Sequence, residues 1–159
     1  MSTPKLQFKP INLDVNGDQA IRFREDSFIC SFGDAARFNP SEYVGWLKAK
    51  LEKDPSCGVH IWLDQQLIGQ MELGQFKPEP SAGYINLYYL IPEMRGKGFS
   101  DQLDEYAMSV LKRKGFNKAY LSVSPTNPRA IRYYSRMGWI DRGSRSEAPE
   151  VILMEKQIP

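Results

Sequence analysis

The sequence predicts a three-layer α/β/α domain built on a mixed, mostly antiparallel twisted sheet of about six to seven strands, with helices on both faces. Three observations predict it. Helical patterns near the N-terminus precede a run of strands from Val59 to Ile91. A strand–helix–strand–helix succession then runs from Tyr84 to Met137. A last alternating segment, Val151 to Ile158, closes the chain. Strands joined by short turns pair antiparallel, whereas a strand–helix–strand unit makes a parallel crossover, so the sheet is mixed. A chain of 159 residues is long enough for one domain with its own core. No repeat, linker or low-complexity segment divides it, so residues 1–159 read as a single domain.

Each element has its own signal. Lys5 to Leu13 alternates as a first strand. Asp18 to Ser31 reads as a helix carrying Ile21, Phe23, Phe28 and Ile29, and a loop from Phe32 to Phe38 follows. Asn39-Pro40-Ser41-Glu42 opens the next helix, with Asn as cap, Pro in the first position and Glu where a capping box wants it. Tyr43, Trp46, Leu47 and Leu51 continue it at helical spacing until Asp54-Pro55-Ser56. Val59–Leu63 and Leu67–Phe76 are strands joined by the polar turn Asp64-Gln65-Gln66. Tyr84 to Ile91 is the third strand of this meander, after the loop Lys77 to Ser81. Ser100 to Lys114 is an amphipathic helix with Leu103, Tyr106, Ala107, Val110 and Leu111 on one face, and Gly115 sits where a left-handed cap is expected. Ala119–Val123 is a strand, and Asn127–Met137 is a helix stopped by Gly138.

Composition excludes several classes. The net charge of +2 is too small for a nucleic-acid binder, although locally concentrated charge suits an anionic small molecule. Cys30 and Cys57 lie far apart without a metal-ligand or CxxC neighbour, and are read as free thiols in a reducing cytoplasm. With a single histidine, His60, there is no serine triad and no metal site; alternating with Val59 and Ile61, it reads as a solvent-facing or satisfied structural side chain. The N-terminus does not read as a signal peptide, and no apolar run is long enough for a membrane span.

The chemistry concentrates between Leu87 and Trp139. The strand Leu87–Ile91 runs into Arg95-Gly96-Lys97-Gly98-Phe99-Ser100, and a helix starts there. A helix N-terminus offers unpaired N–H groups and partial positive charge to a phosphate, and glycines allow a sharp turn and close approach. Arg95 and Lys97 add charge. The turn is not a Walker A loop, since Ile91 stands at the first glycine position and Gly98 follows Lys97. Nor is it a dinucleotide fingerprint, since Asp101 replaces the third glycine. The bland alternative is an ordinary strand-to-helix turn. Asp101 and Asp104 in the first turns of the helix would repel a pyrophosphate unless they point away.

Two segments together resemble the GNAT superfamily of acetyl-CoA-dependent N-acetyltransferases. Arg95, Gly98 and Ser100 follow the pattern Arg/Gln-x-x-Gly-x-Gly/Ala, with Ser100 as a small departure at the last position. Asn127, Ala130, Tyr134, Gly138 and Trp139 match the second pattern, Asn-x-x-Ala-x-x-x-Tyr-x-x-x-Gly-aromatic, at every position. The resemblance implies acetyl-CoA as donor and co-substrate, without a metal. It implies that backbone amides of Arg95, Gly96, Lys97, Gly98, Phe99 and Ser100 hold the pyrophosphate. Leu90 and Ile91 would pair with the pantetheine arm, Leu90 would donate its N–H to the thioester oxygen at a bulge, and Asn127 with Ala130 would meet the cofactor.

Transfer from a thioester to an amine needs a neutral amine, a stabilised oxyanion and a proton for the leaving thiolate. The resemblance makes Tyr134 that acid. A phenol of pKa about 10 remains neutral at physiological pH and can still protonate a basic thiolate. The plain alternative is core packing, since Ala130, Tyr134 and Met137 share a helical stripe. The base is open. Glu72 on the preceding strand is one candidate and a solvated charge the other reading; ordered water or a neutral acceptor would also serve. Strict alternation puts Tyr84, Asn86, Tyr88 and Leu90 on one partly polar strand face, a candidate acceptor-pocket wall, against Ile85, Leu87, Tyr89 and Ile91. The acceptor is expected to be a small-molecule or peptide amine bordered by Arg24 to Phe38. A non-catalytic acetyl-CoA sensor of the same fold is the rival reading, and a homodimer is plausible.

Overall fold

The computed structural model describes residues 3–144 and 150–159. Among the described residues, seven strands form one sheet in the order β1-β2-β3-β4-β5-β7-β6. They are β1 (Gln7–Pro10), β2 (Gly58–Leu63), β3 (Gln66–Gln75), β4 (Gly83–Leu90), β5 (Lys118–Val123), β6 (Ile140–Ser144) and β7 (Ile152–Gln157). Helices α1 (Leu13–Phe32) and α2 (Pro40–Lys53) cover one face; α3 (Ser100–Arg113) and α4 (Pro128–Arg136) lie on the other. Of these strands only β4 and β5 pair in parallel, across the α3 crossover. The three-layer α/β/α arrangement of a mixed sheet is therefore the one the sequence predicts.

Local chemistry sets the helix ends. Asn39 caps α2 by accepting from Glu42 N at 3.1 Å, with Pro40 in the first position. Gly115 and Gly138 both take φ +95° after α3 and α4, where a side chain would be strained. Asn12 accepts from Asp14 N and Val15 N and starts α1 at Leu13, five residues before the expected start. The expected start at Asp18 reflects a real kink, because Asn16 leaves helical geometry at φ −119°, ψ 23°. The first strand is correspondingly shorter than the alternation suggests. The extra strand, β6, is exposed along its whole length, so it carries no inward apolar pattern to reveal it.

The main core lies between the sheet and α3. Met71, Leu73, Ile85 and Leu121 from the strands meet Leu103, Ala107, Val110 and Leu111. A second cluster joins Ile11, Ala20, Tyr43 and Leu47 on the opposite face. Gln70 and Glu72 alternate with Met71 and Leu73 on β3, so β3 presents an apolar side to α3 and a polar, fully buried side to α1 and α2.

Strand β4 departs from simple alternation. Glu72 faces Leu87 but Leu73 faces Ile85, so Asn86 is an extra residue without a partner in the pairing. This bulge reverses the side-chain sense along β4. Ile85 and Tyr88 share the α3 face, whereas Tyr84, Asn86 and Leu87 lie on the other. The expected common face of Tyr84, Asn86, Tyr88 and Leu90 therefore does not form, because alternation cannot be carried through an inserted residue. Parallel pairing between β4 and β5 also stops at this point, with Ile85 opposite Leu121.

Gly69 on β3 marks how closely its neighbours on β2 and β4 crowd it. A Cβ there would overlap the Tyr89 carbonyl oxygen and lie 3.1 Å from Ile61 Cδ1 and Leu90 Cδ2. Overpacking against backbone costs about 2 kcal/mol. Gly69→Ala is expected to lose about that much stability in urea unfolding, and an unchanged midpoint would contradict this packing.

Candidate active site

Divergence of β4 from β5 creates an opening in the sheet beyond Ile85. Ile91 N donates to Ile68 O of β3 at 2.8 Å. Antiparallel pairs alternate in bonding sense, so the N–H and C=O of the next residue back, Leu90, point away from β3 and towards the opening. The expectation of a bulge at Leu90 is thus met differently: the bulge is at Asn86, and the opening at Leu90 comes from strand divergence. The Leu90 carbonyl accepts from Arg95 Nε at 2.8 Å.

Pro92–Met94 form one 3-10 turn between β4 and the glycine turn. Gly96 and Gly98 have φ of +74° and +87°, a backbone that other residues resist. Phe99, the N-cap of α3, offers no side-chain cap, so the first N–H groups of the helix lack a capping acceptor. A Cβ at Gly96 would collide with Arg129 Nη2, which places a guanidinium against the turn. This is the donor set an anionic phosphate requires. The Arg95 side chain itself turns away from the glycines. It pairs with Asp26 of α1 at 3.1 Å and lies over the Tyr89 ring, 5.3 Å from its centroid. Tyr89 also donates its hydroxyl to Asp26.

Asp104 does point away from the turn. Its buried carboxylate accepts from Tyr88 Oη and Trp139 Nε1 at 3.2 Å each, and from Lys156 Nζ at 2.7 Å. Asp101 remains on the outer side of α3, lining a concavity of about 400 Å³ together with Glu105, Lys112 and Pro159. Asp104 and Lys156 line it too, and its three carboxylates against two lysines make it poorly suited to a pyrophosphate.

Tyr134 packs among aromatic rings on the α3 face. Its ring lies 6.2 Å from that of Tyr88, 5.6 Å from Tyr133 and 6.3 Å from Trp139. Burial, and then the Asp104 carboxylate, push its pKa well above the usual phenol value. Tyr133 is shifted the same way, chiefly by burial, and its hydroxyl is buried without a partner among the described residues. Asn127 caps α4 through its side-chain oxygen, which accepts from Ala130 N at 3.2 Å.

Glu72 is fully buried rather than solvated. Arg24 Nη1 donates to its Oε1 at 2.8 Å, while Tyr43 Oη and Gln70 Nε2 donate to Oε2, the latter at 2.9 Å. His60 is buried too, so the solvent-facing reading fails, and the satisfied one holds only at Nε2, since Nδ1 is buried without a partner among the described residues. Its Nε2 bonds Gln70 Oε1 at 2.8 Å, and burial lowers its pKa below the ordinary value. Tyr84 donates to Ser122 Oγ at 2.8 Å, and Asn86 O accepts from Arg24 at 3.2 Å. Tyr84 and Asn86 are therefore separated from Tyr88 by the sheet. The role of Arg24 was missed by sequence reasoning. Its signal would have been an arginine on a helix rich in aromatic neighbours, which alone is too common to single out.

The acetyltransferase (GNAT) family matches residues 19–139, most of the chain. The chain belongs to this family. No curated protein matches it by sequence. Solved structures share its fold. An acetyltransferase from Thermus thermophilus superposes with a TM-score of 0.78 at 20% identity, covering 99% of each chain. The PaiA N-acetyltransferase of Thermoplasma acidophilum, in complex with coenzyme A, gives 0.69 at 18% identity, over 96% of this chain and 99% of that one. Spermidine N-acetyltransferase of Vibrio cholerae, with CoA and spermine, gives 0.76 at 17% identity, over 96% of this chain and 95% of that one.

As a GNAT acetyltransferase the chain is an acyltransferase, and its two sequence motifs now have places. The first forms the glycine turn ahead of α3, and the second forms α4 and the Trp139 anchor. Among the described residues no group of three or more His, Cys, Asp or Glu gathers as for a metal ion, and no helix is long and apolar enough to cross a membrane.

The buried Arg24–Glu72 pair makes a direct test of this interior. Glu72→Gln keeps the shape but leaves the guanidinium without its charge partner, at a cost of about 3 kcal/mol. The expected result is a matching fall in unfolding free energy by denaturant titration.

Proposed function

We propose that this chain, acting as one domain, transfers the acetyl group of acetyl-CoA to a primary amine by direct attack in a ternary complex. Three features support the reading: the glycine turn without a side-chain cap, the Leu90 N–H that points away from β3, and Tyr134 packed against Tyr88 of the same strand. Acetyl-CoA, when bound, supplies the acetyl group as a thioester.

The residues present fit that group. The backbone amides of Gly96 to Ser100 have no protein acceptor among the described residues and have the α3 dipole behind them, and Arg129 adds a charge; the Arg95 amide, expected to join them, instead donates to Pro92 O at 3.2 Å. The free edge at Leu90 suits pairing with an extended pantetheine arm, although Arg95 Nε already takes the Leu90 carbonyl; Ile91, expected to share that edge, gives its N–H to Ile68 O of β3 instead. Asn127 keeps its side-chain N–H₂ for the ligand while its oxygen caps α4. The Leu90 N–H offers a donor where negative charge develops on the thioester oxygen.

The amine nitrogen bonds the carbonyl carbon and gives up one proton to water, the carbon–sulfur bond breaks, and the Tyr134 phenol passes its proton to the departing sulfur and is then reprotonated from water. Burial and Asp104 keep that phenol protonated until a basic thiolate is beside it. Glu72 fits an anchor better than a base, because both its oxygens are engaged. The amine then arrives neutral or loses its proton to water. Tyr88, on the α3 face, belongs with Tyr134 rather than with Tyr84 and Asn86.

Two variants test the reading, with free thiol release over a panel of amines as the assay. Tyr134→Phe is expected to cut kcat by about 10²-fold while CoA affinity stays within about twofold; full activity would remove Tyr134 from the reaction. Gly98→Glu places a charge against phosphate at a φ of +87°, and CoA binding by calorimetry is expected to vanish. CoA binding without thiol release on any amine would favour a sensor.

A further inference from the structure

Resting on that transferase reading, we infer that the acceptor is a small amine bearing a carboxylate on an aromatic or apolar body, and that Arg24 selects it against polyamines. A concavity of about 240 Å³ lies between α1 and α2 on the face of the sheet opposite α3. Phe28, Phe38, Tyr43 and Trp46 line it, together with Arg24 and Arg37. Its volume suits one residue-sized ligand rather than a long chain.

Aromatic faces around a carboxylate make a receptor for an organic cation. Here the chain's own guanidinium fills that receptor. The Arg24 carbon lies 5.8 Å from the Phe28 centroid, 5.6 Å from Tyr43 and 5.8 Å from Trp46, with Glu72 beneath it. Lys50 Nζ stands 5.0 Å from the Trp46 ring as well. An ammonium group from a polyamine would have to displace Arg24 and leave a half-buried guanidinium without its carboxylate. Among the described residues, the fully buried acid on this side is therefore already spent.

What Arg24 still offers is donors. Its Nη1 serves Glu72 and Asn86 O, and among the described residues no acceptor bonds Nε or Nη2. Those two atoms form one edge of the guanidinium fork, the edge that grips a carboxylate with two parallel bonds. The fork is fixed in place by the three rings and by Glu72. Because Nη1 also holds the carbonyl of the bulge residue, the guanidinium is anchored where β4 leaves β5. Net charge is not the selector. Glu42 lines the same concavity, and Glu150 lies 3.9 Å from Arg37, so the rim is balanced and the directed donors decide.

The experiment is calorimetric titration of CoA-saturated protein with two unreactive probes, N-acetylphenylalanine and its carboxamide, and with spermidine. The expected result is that the acid binds at least about tenfold tighter than the carboxamide or spermidine. Arg24→Lys keeps a charge on Glu72 but lacks the fork, and is expected to remove the acid's advantage; a thermal melt checks its fold. Equal binding of acid and carboxamide, no binding of the acid, tighter binding of spermidine, or an advantage that survives in a folded Arg24→Lys protein would each overturn the inference. The probe comparison stands on the unmodified protein alone if the variant does not fold. Failure of the transferase reading is separate, since it shows as absent thiol release with phenylalanine and every other amine.

Discussion

The parting of β4 from β5 is the constraint on which the rest of this structure depends. Beyond the Ile85–Leu121 pair the two strands no longer share hydrogen bonds. A parted pair in mid-sheet leaves backbone donors and acceptors exposed that a closed sheet would consume. The structure manages this by giving them work. The Leu90 carbonyl takes Arg95, the Asn86 carbonyl takes Arg24, and the Leu90 N–H faces the opening. The bulge at Asn86 coincides with the end of pairing, and a local increase in strand twist there is the expected companion of an inserted residue.

The faces on either side of the opening are held by different chemistry. On the α3 side the core is apolar, and the buried acid Asp104 is fully engaged by Tyr88, Trp139 and Lys156. On the α1 and α2 side a buried polar chain runs from His60 through Gln70 to Tyr43, Glu72 and Arg24. Burying an ion pair repays its desolvation only when every remaining donor and acceptor is met, and such networks tend to specify geometry more than they add stability. This one fixes α1 and α2 over β3. Arg95 then ties α1 to the glycine turn through Asp26, so the two sides of the opening share one strut.

The helix-forming and turn-forming chemistry was legible in sequence because it is local. Asn39-Pro40 capped α2, Gly115 and Gly138 ended α3 and α4, and the amphipathic stripe of α3 met the core as expected. The two motifs likewise declared the family, since each is a contiguous run whose residues act within one turn and one helix. β6 was silent because an exposed edge strand has no inward side to pattern.

What only the tertiary structure decided concerns partners far apart in the chain. Alternation along β4 failed at Asn86, because a bulge is a property of pairing with β3 and is not encoded in β4 alone. Glu72 looked like a free acid until Arg24, 48 residues away, was folded onto it. Asp104 looked hostile to a phosphate until Lys156 and Trp139 drew it beneath the helix. The sequence by itself determined elements, capping and the family, which rest on neighbours within a few positions. The fold alone determined which charges are paired and which donors stay open, because electrostatic and hydrogen-bonding partners are chosen by distance in space.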